Sequence, residues 1–272
     1  MSLTTRLYGT TRRGLTSLHG QNLDLTALSI AAITTAVFGA SRLIPWAIND
    51  YRMFLALGPG GPPYNVFGWA LVTCILRPLS ISRDQALSLT EYPSTGAGEG
   101  VLGIKVRKGD RPDVKGITPQ RQVDQNPDAG MKERVVHMFQ DLAMRNGGIL
   151  EWKRSHYERH NDALYVAQGL LYNKEEEISV PDTAKVAKGE IGHPHADGSV
   201  HLYLSSADAR VVVERGWAER HRLSVKGWQE RFGLGATYML IYGARNEEEV
   251  EVMRILLGAS VKFMTGGTEL KV

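Results

Sequence analysis

Residues 190–221 read EIGHPHADGSVHLYLSSADARVVVERGWAERH, and this stretch decides the fold. Side chains two positions apart in a strand share one face. His193 and His195 therefore project to the same side, and Pro194 favours extended backbone at His193. Residues 199–204, SVHLYL, alternate in the same way. Val200, Leu202 and Leu204 take one face, and His201 and Tyr203 take the other. Asp197–Gly198 supplies a turn between the two strands, which brings His201 beside the first pair. Ser205 or Ser206 caps a helix over ADARVVVER, and Gly216 closes it as the C′ residue.

The flanking sequence extends this unit in both directions. Met131 to Asn146 is a helix, with Val135, Met138, Phe139 and Leu142 at helical spacing and Gly147–Gly148 as its stop. Ile149 to His156 and Ala163 to Leu171 read as strands separated by the polar ERHND. The loop KEEEISVPDTAK that follows reads as solvated surface. Thr237 to Tyr242 is a further strand. Asn246 caps the last helix, with Glu247, Glu248 and Glu249 at the positive end of its dipole. Residues 131–272 are thus expected to form an α+β domain, a mixed or antiparallel sheet with helices packed on one face.

The other half of the chain is organised differently. Leu25 to Ile48 spans 24 residues with one charge, Arg42. As a helix it measures about 36 Å, enough to cross a hydrocarbon core of about 30 Å. Residues 1–50 are therefore expected to carry a single membrane anchor over about 25–48, with Trp46 and Tyr51 in the interfacial belt. Pro45 is expected to kink or end that helix. The segment shows no small-residue cleavage site of the secretory kind. Arg6, Arg12 and Arg13 before it are matched by Arg42, Arg52 and Arg77, so charge sets no orientation. The lack of any partner for a disulfide favours the cytosolic side for the domain.

Residues 51–130 read as a membrane-proximal region. The turn-rich GPGGPP at 58–63 introduces an apolar run, Val66 to Leu76. It is too short to span a bilayer and is expected to be an interfacial or buried helix, with Cys74 a buried thiol inside it. Beyond it, six Lys or Arg lie between Lys105 and Arg121. They read as a solvated arm or as a patch lying on anionic lipid.

Composition narrows the chemistry. The chain has 272 residues, 32 Lys plus Arg against 29 Asp plus Glu, and one cysteine. It therefore has no internal disulfide framework and no Cys-clustered zinc site. The charge balance gives no ground for a nucleic-acid partner. A nucleophile elbow, a dinucleotide fingerprint and a P-loop are all absent. Histidine is left, and four of the eight, His193, His195, His201 and His221, fall in the quoted stretch. Two chemistries fit. One is a metal site for Fe, Mn or Zn built from His193, His195 and His201. The other is a metal-free pocket in which imidazoles move protons and stabilise an oxyanion.

Three stretches together resemble the fungal luciferase family: DYRMFLALGPGG at 50–61, GEIGHPHADGSVHLYLSSADARVVVERGWAERH at 189–221 and YGARNEEEVEVM at 242–253. The resemblance runs from about Asp50 to the C-terminus, and the preceding apolar segment matches the anchored architecture of the luminous enzymes. At its edges the motif departs from theirs, with Ala218 in place of glycine and Arg222 in place of proline. What the resemblance implies is oxidation of a 3-hydroxy-α-pyrone, 3-hydroxyhispidin, by O2, with decarboxylation of a peroxide and emission of light. It implies no flavin, ATP or metal. By position, His193 or His195 would be the base, with His201 and His221 stabilising enolate or peroxide and Glu190 orienting an imidazole. Tyr203, Trp217 and Tyr242 would pack on the flat substrate, and Arg245 would bind its oxygen. A tethered carrier of hydrophobic ligands, without turnover, is the non-enzymatic alternative.

Overall fold

The computed structural model describes residues 4–172, 179–225, 227 and 233–268, with side chains from residue 25 onward. The glutamates of the 174–185 loop thus lie outside the described residues. The chain divides into two units, Met1–Met53 and Phe54–Val272.

The first unit is a single helix. α1 spans Thr4–Ala56 and runs straight through Pro45. A proline inside a helix removes one hydrogen bond, here the one the Ser41 carbonyl would accept, and α1 tolerates that loss. Its stretch Leu25–Ala56 is long and apolar enough to cross a membrane, and the window that qualifies is unburied. A membrane anchor or a signal sequence fits such a helix.

The second unit is α+β. Its longer helices are α2 (Val66–Leu79), α3 (Ala129–Arg145), α4 (Ser206–Glu214) and α5 (Glu247–Met264). A two-stranded ribbon joins β1 (Val114–Gly116) to β2 (Gln120–Gln122). The main sheet holds β3 (Leu150–Arg154), β4 (Asp162–Val166), β5 (Glu190–Pro194), β6 (Val200–Tyr203), β7 (Ala218–Arg220) and β8 (Tyr238–Ile241). Their order is β3-β4-β5-β6-β8-β7, and every pairing is antiparallel. α3 packs on β3 and β4, α5 on β5 and β6, and the two helices touch each other.

Local chemistry explains the elements. Asp128 caps α3 by accepting from the Met131 amide, and Val135, Met138 and Phe139 form its buried stripe. Ser205 caps α4 and Asn246 caps α5 through their side-chain oxygens. The β5–β6 hairpin turns at Asp197–Gly198, where Gly198 has φ +93° and its amide bonds to the His195 carbonyl at 3.0 Å. Only glycine adopts that backbone without strain.

Four sequence expectations change. The strand expected over 163–171 stops at Val166, because its last amide bonds to the Gly189 carbonyl and Gln168–Leu171 then coils into a helical turn. β7 is an additional strand, masked in the sequence by Glu219 and Arg220, both of which are buried. Cys74 is exposed, since the buried residues of α2, Gly68 and Val72, lie one turn apart on the opposite side. The basic segment is only partly solvated. Lys108 stands exposed, whereas Arg107 and Arg121 are 4% and 7% exposed.

Candidate functional site

The site begins with strand parity. β5 and β6 pair His193 with His201 directly, so the two rings stand on one face. Gly192 makes this closeness feasible: a Cβ there would meet the His201 carbonyl oxygen at 2.1 Å. His195 follows β5 on the same parity, and its amide bonds to the Ser199 carbonyl at 2.9 Å. His221 arrives from the end of β7, anchored by its amide on the Tyr238 carbonyl at 2.8 Å. The ring centroids of His195 and His201 are 4.6 Å apart, those of His193 and His195 5.0 Å, and those of His201 and His221 5.2 Å. The four histidines of the sequence motif therefore form one cluster. Tyr238 stacks on His201 at 4.7 Å.

A β-bulge then delivers Glu190. β4 pairs Leu164 with Gly192 but Tyr165 with Glu190, so Ile191 is the extra residue on β5. A bulge re-aims side chains. Glu190 Oε1 lies 2.6 Å from His193 Nδ1, and Oε2 accepts from the His156 amide at 2.7 Å and the Tyr165 hydroxyl at 2.8 Å. Burial by itself raises the Glu190 pKa. The hydrogen bonds from His193, Ser155 and Tyr165 outweigh it and leave the carboxyl below its ordinary value.

The ribbon β1–β2 closes the histidine face. Gln120 Nε2 donates to Glu219 Oε1 at 3.0 Å, which turns the amide oxygen of Gln120 towards His201 Nε2 at 3.3 Å. Arg121 forms a two-pronged ion pair with Glu158. Glu158 Oε1 in turn faces His193 Nε2 at 3.9 Å. Burial drives the pKa of His195 and His201 well below the ordinary histidine value, with the positive charge of Arg121 adding to the effect. Burial takes His221 down to about 3. These three imidazoles are neutral at physiological pH. Nδ1 of His221 already accepts from the Leu223 amide at 3.2 Å, which leaves His195 and His201 as the ones with a lone pair to offer.

A cavity of about 370 Å³ opens onto this cluster. His201, His221, Glu158, Gln120, Tyr157 and Tyr238 contribute to its inner wall, and Pro62, Pro63, Leu71, Leu76, Leu223 and Leu234 supply apolar surface. Its size and mixed lining suit a small, flat, partly polar ligand. His193, His195 and Glu190 lie behind the wall.

The remaining residues singled out in the sequence sit elsewhere. Tyr203 is fully buried, its hydroxyl 2.9 Å from that of Tyr157. Trp217 donates from its ring nitrogen to the Lys105 carbonyl at 2.7 Å. Tyr242 bonds to Glu219 Oε2 at 3.2 Å, under the guanidinium of Arg107. Arg245 is paired with Glu249 at the start of α5. Trp217, Tyr242 and Arg245 do not line the cavity. Conversely, Glu158, Gln120 and Tyr238 belong to the site and escape the sequence reading. Glu158 sits in the polar ERHND loop and Gln120 in the basic segment, both of which read as solvated. Tyr238 carried a usable signal, because it shares strand parity with Leu240 opposite His201.

Comparison with known proteins agrees with the geometry. A family model described as the luciferase domain matches residues 188–260, which include all four clustered histidines. The chain is similar to the luciferase of Armillaria mellea, at 28% identity over 97% of this chain and 94% of that one. It is similar to the luciferase of Neonothopanus nambi at 29% identity, over 92% and 93% of the two chains. No solved structure matches.

Proposed function

We propose that this chain, a member of the fungal luciferase family, is an oxygenase that uses O2 to decarboxylate a 3-hydroxy-α-pyrone of the 3-hydroxyhispidin type, with release of light. The observation that carries the reading is a cluster of four buried imidazoles, two of which, His201 and His221, line a cavity large enough for such a ligand.

In this proposal the flat substrate enters between the apolar walls and presents its hydroxyl to the cluster. A neutral imidazole takes the hydroxyl proton, and His201, which lines the cavity, is assigned that role. The enolate then supplies the two electrons that O2 takes up as a carbon–oxygen bond forms. The peroxide closes on the ring carbonyl and CO2 leaves. Tyr238 stabilises the oxyanions that develop, His221 shapes the wall beside it, His193 with Glu190 and His195 hold the cluster's hydrogen-bond pattern, and the apolar side chains around the bound substrate shield the peroxide and the excited product from water. Tyr203 supports the cavity through Tyr157, and Trp217, Tyr242 and Arg245 serve the scaffold. The apolar stretch of α1 acts as a single-pass anchor, holding the domain on the cytosolic side of a membrane in which a lipophilic substrate concentrates.

The test is direct. The full chain, purified in detergent, is given 3-hydroxyhispidin in air while O2 uptake, substrate loss and photons are recorded. Substrate loss matched by O2 uptake supports the reading. Folded protein that consumes neither overturns it.

A further inference from the structure

We propose that Glu158, His193, His195 and His201 form a binding site for one divalent first-row transition-metal ion. One ligand atom from each residue lies within 4.8 Å of all the others, and all four residues are buried. Bonds of about 2.1 Å to nitrogen and oxygen put ligand atoms roughly 3 to 4 Å apart. A small rotation of each side chain closes the set. Imidazole and carboxylate are the ligands that first-row ions such as Fe(II), Co(II) and Zn(II) favour.

The hydrogen-bond pattern points the same way. Ionised Glu190 can only accept, so His193 Nδ1 donates to it at 2.6 Å. Ser199 Oγ donates to Asp197 at 2.6 Å and is left to accept from His195 Nδ1 at 2.9 Å. Gln120, turned by Glu219, accepts from His201 Nε2. Each histidine thus has one ring N–H engaged by an acceptor, which fixes its tautomer and leaves the other nitrogen as a lone pair. Metal-binding histidines show this arrangement. The Nε2 atoms of His193 and His195 are buried and lack a hydrogen-bond partner among the described residues. Buried polar atoms are seldom left so. His193 Nε2 also faces Glu158 Oε1 at 3.9 Å, two acceptors opposed across a gap that a cation fills.

Charge and access complete the case. Glu158, Glu190 and Asp197 surround the cluster, with the Arg121 guanidinium against Glu158. Arg121 bonds to both oxygens of Glu158; ligation through Oε1 gives up one of these bonds and keeps the other on Oε2. Glu158 and His201 border the cavity, so an ion held here has an open side towards a bound ligand. With an ion bound, the single lone pair of His201 is a ligand, so the base proposed above acts only in protein that holds no ion. The binding site itself does not depend on the proposed reaction.

The experiment separates the two. Full chain in detergent is stripped with a chelator and titrated with Co(II), read by visible absorption and by bound metal per chain. One equivalent is expected, with ligand-field bands of nitrogen and oxygen ligation. E158Q and H195A are expected to weaken binding by about 10- to 100-fold, and S199A by about 10-fold through the His195 tautomer. H137A, at an exposed position, changes nothing. Circular dichroism screens each variant for folding, and S199A carries the test if the ligand variants unfold. Failure of the folded wild type to bind Co(II) overturns the site, as does affinity indifferent to E158Q and S199A. In that case a proton shared between His193 and Glu158 occupies the gap. Turnover of 3-hydroxyhispidin by protein that binds no metal leaves the reaction standing without the site. Stoichiometric binding without turnover does the reverse.

Discussion

Glu190 and His193 are three residues apart on one strand, yet Glu190 Oε1 and His193 Nδ1 lie 2.6 Å from each other. Regular pleating would send the two side chains to opposite faces. The bulge at Ile191 removes that conflict, and it makes the carboxylate the hub of five donors: His193, Ser155, Tyr165 and the amides of His156 and Tyr157.

Replacing this hub by alanine strands those donors in a buried site. E190A is expected to lose about 3 kcal/mol or more of stability, from unsatisfied groups costing about 1–3 kcal/mol each. E190Q keeps the volume and part of the bonding, and loses less. Denaturant unfolding of the full chain in detergent, followed by tryptophan fluorescence, ranks the two. Equal stability of E190A and wild type contradicts the hub.

Close approach of β5 and β6 depends on Gly192. Its missing Cβ would stand 2.1 Å from the His201 carbonyl oxygen, so G192A must push the hairpin apart. A cost of about 2 kcal/mol or more is expected, together with loss of activity, because His193 and His201 separate. The control is an alanine at Gly103, where nothing lies within 4 Å. Comparable damage at both positions would show that strand spacing is not the cause.

Tyr238 offers a cleaner probe of ligand contact. Its hydroxyl is buried without a hydrogen-bond partner among the described residues, and the residue borders the cavity. Y238F therefore removes a group the folded protein does not use. Stability is expected to stay within about 0.5 kcal/mol, whereas kcat/KM for the pyrone falls about tenfold, through kcat, as one hydrogen bond to a developing oxyanion is lost. An unchanged kcat/KM would place the reacting oxygens away from this hydroxyl.

Arg245 and Glu249 act on the scaffold. Arg245 holds Glu249 at the first turn of α5 through its amide and guanidinium. Burial pushes the Glu249 pKa up, but the Arg245 hydrogen bonds prevail and its carboxyl ends below the ordinary value. A depressed folded-state pKa stabilises the fold above the unfolded value near 4.5, and that contribution is lost as pH falls through the folded value. R245A is expected to cost about 2 kcal/mol at pH 7 and less at pH 4, with KM unchanged. A raised KM at wild-type stability would return Arg245 to the substrate.

The histidine cluster was largely legible because parity is local. A spacing of two puts His193 and His195 on one side, and a short Asp-Gly turn forces His201 opposite. The apolar stretch of α1 was legible for a similar reason, since length and absence of charge are properties of a segment alone. The end of β4 at Val166 was not, because it depends on where a partner strand begins. Nor was the burial of Arg107 and Arg121, whose charges pointed to solvent until the carboxylate and backbone partners around them were known.

The sequence by itself determined which histidines cluster, the face that His193, His195 and His201 share and the apolar helix that precedes them. Tertiary structure decided the rest of the site. It folded Gln120 over His201 across 81 residues and set Glu158 opposite His193. It also placed the bulge that turns Glu190 inward. Each of these depends on strand register and on a ribbon closing over a sheet. Such contacts are selected by the packing of distant segments, and no local spacing encodes them.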